Sequence, residues 1–242
     1  MKDSIFEIFD NEKIAENTYK MTLHGDTSEI KTAGQFVNIK LDGFYLRRPI
    51  SVCDVNGNTL TIIYKAVGKG TEYMQALPGG TRLDVLTGLG NGYDLSLSGS
   101  APLLIGGGAG VPPMYYLAKK LIAEGKTVTV IMGFNKKSEI FFRKEFEALG
   151  ANVIITTADG SVGIRGFVTD AMNVDYTYIY ACGPEVMLKA VYDKSVTSAQ
   201  FSFEERMGCG FGACMGCTCK TKYGNKRICR DGPVLIKEEI IW

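Results

Sequence analysis

The chain has 242 residues, 45% hydrophobic and 22% charged, with a net charge of +1. That balance is ordinary for a globular protein and gives no polybasic surface of the kind nucleic acid or an anionic membrane selects. Acidic residues interrupt the N-terminal stretch Met1–Glu7 where a signal peptide needs an apolar run, and no window approaches the roughly 18 apolar residues of a membrane span. Seven cysteines, one histidine (His24) and no export signal lead us to expect a reducing, cytoplasmic setting.

From residue 4 to about 98, short β-branched or aromatic runs alternate with turn residues: Thr18–Leu23, Gln35–Lys40, Thr59–Tyr64 and Arg82–Leu86. Asp54-Val-Asn-Gly-Asn58 between two runs is a hairpin signal. Strands at this spacing predict an antiparallel barrel or sandwich over residues 1–99. Two segments in it attract attention. Arg47-Arg48-Pro49-Ile50-Ser51 ends one run, and Lys65-Ala-Val-Gly-Lys-Gly70-Thr71 ends another and leads into a helical stretch, Thr71–Leu77. Backbone N–H groups at a helix start, an arginine fork and a hydroxyl suit a phosphate-bearing ligand. Taken alone, Arg47-Arg48 reads equally as a solvated pair.

After Pro102 the rhythm switches. Apolar runs at Leu103–Ile105, Thr127–Met132, Asn152–Thr156 and Thr177–Ala181 alternate with helical patterns at Pro113–Glu124 and Ser138–Leu149. This predicts a doubly wound parallel sheet over residues 100–199. Its first strand runs into Gly106-Gly-Gly108-Ala-Gly110-Val-Pro-Pro113, a G-x-G-x-G-x-x-P turn between strand and helix. Such a turn lets the backbone approach a pyrophosphate, although a tight corner alone explains it too. Cys182-Gly183-Pro184 ends another strand of the same sheet, so both segments can face one crevice. Cys182 also fits a small buried thiol. Asp159 follows a third strand; a carboxylate there bonds a ribose hydroxyl and repels the 2′-phosphate of NADP, or simply shapes the turn.

From about residue 200 neither pattern persists, and five of the seven cysteines fall within 21 residues. Cys209, Cys214 and Cys217 read C-x4-C-x2-C, with Cys229 further on: the plant-type [2Fe–2S] ligand spacing. Zinc sites usually show two close cysteine pairs, and only Cys214–Cys217 qualifies; chance clustering is the third reading. Cys219 is surplus to the spacing. Lys220, Lys222, Lys226, Arg227 and Arg230 accompany the cysteines and either offset the charge of an iron–sulfur centre, face a partner, or are merely solvated.

Together, Arg-Pro-x-Ser, the G-x-G-x-G-x-x-P turn with Cys-Gly-Pro, and the cysteine motif running from Glu205 to Lys220 and closing at Cys229–Pro233 resemble the ferredoxin–NADP reductase superfamily. Within it, the likeness over essentially the whole chain is to the electron-transfer subunits of dihydroorotate dehydrogenase B. The resemblance implies FAD on the barrel, NAD as electron acceptor, and a [2Fe–2S] cluster in a small C-terminal domain, residues 200–242. It implies FAD contacts from Arg48, Pro49, Ile50, Ser51, Lys65, Gly70 and Thr71. NAD contacts would come from Gly106, Gly108, Gly110, Pro113, Asp159, Cys182, Gly183 and Pro184. Ser51 and Cys182 would stand nearest the reacting rings, and Ile50 occupies the place where the superfamily commonly puts a tyrosine. The partner implied is an FMN-containing catalytic subunit that oxidises dihydroorotate for pyrimidine synthesis, two of each in a heterotetramer. The alternatives are the flavin/iron–sulfur subunit of a cytosolic hydrogenase or of a ferredoxin–NAD(P) oxidoreductase, and a zinc-stabilised nucleotide-binding protein.

Overall fold

The computed structural model describes all 242 residues. Six strands come first: β1 (Lys2–Ala15), β2 (Thr18–His24), β3 (Phe36–Ile39), β4 (Arg48–Asn56), β5 (Thr59–Lys65) and β6 (Arg82–Leu89). They close an antiparallel barrel in the order β1-β2-β5-β4-β3-β6. Alternation drives this closure. Along β6, Leu83, Val85, Thr87 and Leu89 are buried while their neighbours are not, the period-two pattern of a strand with one face inward. The expected β4–β5 hairpin turns at Gly57, whose φ of +55° is accessible to glycine at little cost. Helix α1 (Lys69–Gln75) follows β5, slightly earlier than the sequence pattern indicates.

The second sheet contains β7 (Pro102–Gly107), β8 (Thr129–Phe134), β9 (Asn152–Thr157), β10 (Ile164–Arg165), β11 (Tyr178–Cys182) and β12 (Ala199–Ser202), all parallel. Successive side chains leave opposite faces. Leu104, Val130, Met132 and Tyr180 join a core of 39 buried residues shared with the barrel, whereas Leu103, Ile105, Ile131 and Ile179 join a second core of 19. Helix α2 (Val111–Ala123) begins with Pro112-Pro113 in its first turn, where a missing N–H costs nothing. It lies against β4, and Lys119 donates to both oxygens of Asp54 at 2.8 and 2.9 Å.

Two expectations are corrected here. The helical pattern Ser138–Leu149 yields α3 over Arg143–Ala148 only. Phe141 packs edge-on against Phe134, and Phe142 edge-on against Tyr115; Phe142 takes a left-handed conformation (φ +62°) just before the helix. The left-handed residue interrupts the helical path, so the helix starts only after both aromatics are placed. The chain past residue 200 is also not devoid of pattern. After α4 (Glu185–Lys194) and β12, a hairpin forms from β13 (Thr218–Thr221) and β14 (Gly224–Arg227). Then β15 (Val234–Ile236) returns to pair antiparallel with β12. The larger sheet is therefore mixed, in the order β10-β9-β8-β7-β11-β12-β15. No helix is long and apolar enough to cross a membrane.

Candidate functional site

The two arginines that end the loop before β4 have separate fates. Arg47 grips Asp84 of β6 through paired bonds of 2.8 and 3.1 Å and reaches the carbonyl of Asn38 on β3, so it staples the barrel. Arg48 has no carboxylate partner: its Nη1 donates to the Leu46 carbonyl, and its guanidinium lies 4.9 Å above the Phe44 ring and alongside Gly70 of α1. A Cβ on Gly70 would stand 2.0 Å from Arg48 Nε, so the guanidinium occupies space that only glycine leaves open. That arrangement of a fixed fork at a helix start fits a phosphate group. Thr71 does otherwise than expected: its hydroxyl accepts from the amides of Val67 and Gly68 at 3.1 and 3.3 Å and donates to the Gly68 carbonyl, closing the turn from within. Pro49, Ile50 and Ser51 lie half-buried on β4, opposite Asn38, Val37 and Phe36. Lys65, at the end of β5, pairs with Glu139 at 3.3 Å and lies beside Gly108.

The parallel sheet brings the glycine turn and Cys182-Gly183-Pro184 together, because β7 and β11 are neighbours with Gly106 opposite Cys182. A Cβ on Gly110 would lie 2.1 Å from the Cys182 carbonyl oxygen. Pro113 is buried in the first turn of α2. Cys182 is 2% exposed, and burial, aided by the charge of Glu204, pushes its thiol up to about 12. Burial therefore favours the neutral thiol over the thiolate. Glu204, which no sequence motif marks, follows β12 at the same carboxyl edge, and desolvation by the surrounding protein raises its carboxyl. A cavity of about 450 Å³ opens at this edge, with Gly183, Pro184, Glu204, Cys219, Leu235 and Trp242 in its wall. Tyr93 supports the strand end from below, donating to the Ala181 carbonyl at 3.2 Å. Asp159 lies in the exposed turn after β9, where its Oδ1 accepts from the Ser161 amide at 2.9 Å. Its carboxylate is held low by the Ser161 hydrogen bonds and shapes the turn.

The cysteines meet in two pairs. The Cys209 amide points at Cys214 Sγ (3.5 Å), while the amides of Ala213 and Cys214 point at Cys209 Sγ (3.2 and 3.4 Å). Burial opposes ionisation of Cys209, but the N–H groups of Cys214, Phe211 and Ala213 outweigh it and hold the thiol at about 6. In the second pair, the Cys229 amide points at Cys217 Sγ at 3.4 Å. Burial first, and then the adjacent Cys217 sulfur, push Cys229 up to about 12. Two neighbouring thiols that oppose each other's ionisation are relieved by a bound cation. Two thiolate pairs with amides turned toward sulfur fit a dinuclear cluster, which takes two thiolates per iron. Cys219 belongs to neither pair; it sits on β13 opposite Lys226 and faces the cavity. Two of the five cations near the cysteines are used internally: Lys226 pairs with the buried Glu239 and Arg227 with Asp231, leaving Lys220, Lys222 and Arg230 exposed.

Two asparagines, also unmarked in sequence, join the barrel to this segment. Asn38, 1% exposed, donates to the Cys209 carbonyl at 3.3 Å. Asn91, just past β6, donates to the Val234 carbonyl at 2.8 Å and accepts from its amide at 3.1 Å. The cysteine loop thereby rests on β3, directly across from Pro49 on β4.

Residues 104–193 match the model of the oxidoreductase NAD-binding domain, and residues 204–241 match that of the iron-sulfur cluster binding domain of dihydroorotate dehydrogenase B. Similar over nearly full length are two proteins named dihydroorotate dehydrogenase B (NAD(+)), electron transfer subunit. The one from Bacillus pumilus is 42% identical over 255 residues, covering 99% of this chain and 98% of its own. The one from Fusobacterium nucleatum is 43% identical over 257 residues, covering 99% of each. Among solved structures, a chain of an NADH-dependent reduced ferredoxin-NADP oxidoreductase superimposes with a TM-score of 0.88 at 30% identity, over 98% of this chain and 90% of that one. The Amycolatopsis cytochrome P450 reductase GcoB shares the fold at 20% identity, with a TM-score of 0.70 over 81% of this chain and 67% of that one.

Proposed function

The chain belongs to the family of dihydroorotate dehydrogenase B electron transfer subunits, and from that premise we propose how its residues divide the work. It is an oxidoreductase subunit that conducts electrons from dihydroorotate oxidation in a partner catalytic subunit through [2Fe–2S] and FAD to NAD+. Flavin, when bound, exchanges two electrons with nicotinamide and single electrons with an iron–sulfur centre. The chain's task is to hold the three groups in that order. Residues 1–99 would carry FAD, 100–199 NAD and 200–242 the cluster.

Arg48, beside Gly70, would hold the FAD phosphates, and Ser51 would offer its hydroxyl to the flavin ring; Pro49 and Ile50 would form the adjoining wall. Thr71 would contribute by shaping the loop, and Lys65 by adding positive charge beside the glycine turn. Gly106, Gly108 and Gly110, with α2 behind them, would admit the NAD pyrophosphate. Cys182, Gly183 and Pro184 would bound the nicotinamide end, with Cys182 as a neutral thiol. Asp159 would disfavour NADP through its negative charge. Cys209 with Cys214 would ligate one iron, and Cys217 with Cys229 the other.

The observation that carries this reading is the seating of the Cys209 loop on Asn38, one strand from Pro49-Ile50-Ser51. Cysteine ligands beside a flavin-type strand give single electrons a short route. We further propose that the partner carries FMN, that two copies of each subunit assemble, and that the complex is cytoplasmic. The test is reconstitution. The purified chain should oxidise NADH with an artificial acceptor yet leave dihydroorotate untouched; adding the FMN subunit should create dihydroorotate-dependent NAD+ reduction. Full activity from this chain alone, or none from the mixture with all cofactors in place, refutes the two-subunit reading. Likeness to the ferredoxin-NADP oxidoreductase chain supports a second reading, and replacing the FMN subunit by reduced ferredoxin in the same assay separates the two.

A further inference from the structure

We propose that Arg227, locked by Asp231, is the positioning residue of the iron–sulfur segment: it joins the two cysteine pairs, and the balance of its charge against that of Asp231 sets how readily the centre between them accepts an electron. This rests on the iron–sulfur reading above.

Arg227 ends β14, two residues before Cys229. Asp231 Oδ2 accepts from both the Arg227 amide and Nε at 2.9 Å, and Oδ1 accepts from Nη2 at 3.2 Å. The Arg227 carbonyl in turn accepts from the amides of Arg230 and Asp231 at 3.0 and 2.7 Å. One residue thus closes both ends of the turn that presents Cys229. Its remaining nitrogen, Nη1, donates to the Gly212 carbonyl at 2.9 Å. Gly212 lies in the loop between Cys209 and Cys214. Its φ is +92°, and a Cβ there would meet Arg230 Cδ at 2.6 Å, so the loop needs glycine at the position whose carbonyl meets Arg227. The guanidinium therefore spans the loop of the first cysteine pair and the turn of the second. A planar fork with separated donors does this; a lysine ammonium reaches one partner or the other. Neighbouring Lys226 does not share the task, since it is paired with Glu239.

The electrostatic consequence has a definite sign. Four thiolates make the centre anionic, and reduction adds one more negative charge. A nearby cation favours the reduced form, and a nearby anion opposes it. In the native pair the two charges offset each other. Removing one exposes the other.

Midpoint potentials from EPR-monitored redox titration of the cluster-bearing protein test this. Arg227→Gln should lower the cluster potential and Asp231→Asn should raise it, each by about tenfold in the one-electron equilibrium, ~59 mV, the scale of one charge roughly 10 Å away at intermediate dielectric. The double variant should return close to the native value. A purely structural role predicts shifts of one sign in all three variants. Separately, Arg227→Lys keeps the charge but cannot serve both partners; iron release to a chelator should quicken about tenfold, the worth of a charged hydrogen bond, with little change in potential. Single variants shifting in the same direction, or not at all, overturn the charge role. Native-rate iron release from Arg227→Lys overturns the bridging role. If Arg227→Gln retains no iron, Asp231→Asn decides the sign, and a fall or no change refutes the proposal. A native protein without iron would instead defeat the iron–sulfur reading and leave the Arg227–Asp231 lock as described.

Discussion

Replacing Gly110 by alanine probes the nucleotide crevice without touching a charge or a hydrogen-bonding side chain. Gly110 has φ −84° and ψ −7°, values any residue adopts, so the substitution stores no backbone strain of its own. The obstacle is space. The new methyl would lie 2.1 and 2.3 Å from the carbonyl oxygen and carbon of Cys182 and 2.6 Å from the Gly183 nitrogen. These are backbone atoms of the adjoining strand end and cannot rotate away, so the turn and the Cys182–Pro184 segment must separate by about an ångström. Overpacking of this kind costs about 1–3 kcal/mol. With ~2 kcal/mol charged to the binding-competent geometry, NADH should bind about 30-fold more weakly. FAD content and cluster absorbance should be unchanged, because the barrel and the cysteine segment lie outside the collision. Anaerobic titration of flavin reduction by NADH reads the change. Gly108→Ala is the comparison: its Cβ meets nothing closer than the Lys65 ammonium at 3.7 Å, so its cost is confined to its φ of +51°. Native NADH affinity in Gly110→Ala, or parallel loss of FAD and NADH, would refute the reasoning.

Two further outcomes follow from the same geometry. Serine at Cys209, Cys214, Cys217 or Cys229 should abolish or strongly weaken the cluster, while Cys219→Ser should retain about two irons per chain, as a [2Fe–2S] centre holds; iron analysis beside visible absorbance checks this, and iron missing from Cys219→Ser alone would reverse the ligand assignment. Glu204 carries a pH dependence. Desolvation by the surrounding protein raises its carboxyl although the residue itself is exposed, so the folded chain holds a proton more tightly than the unfolded chain does. Stability should therefore fall as pH climbs from the ordinary carboxylate range through the raised value, and Glu204→Gln should remove that part of the slope. Urea midpoints across the acid-to-neutral range measure it; identical slopes in both proteins would contradict the assignment.

Contiguous residues carry what can be read from the chain alone. The alternation along β6, the strand–glycine–helix turn at Gly106–Pro113 and the C-x4-C-x2-C spacing each repeat or cluster within a few residues, where local periodicity and ligand geometry act directly. The barrel, the parallel sheet and the cysteine segment were legible for that reason. Tertiary structure decided which partners the polar side chains meet. It assigned Arg47 to a barrel staple and left Arg48 without a carboxylate partner, turned the Thr71 hydroxyl inward, and bonded the Asp159 carboxylate to the Ser161 amide. It also enlisted Asn38, whose partner Cys209 lies 171 residues away, and Asn91, whose partner lies 143 away. No periodicity marks such residues. A polar side chain acquires its role from whichever backbone group the topology leaves beside it, and that neighbour exists only once β3, β6 and the returning β15 are in place.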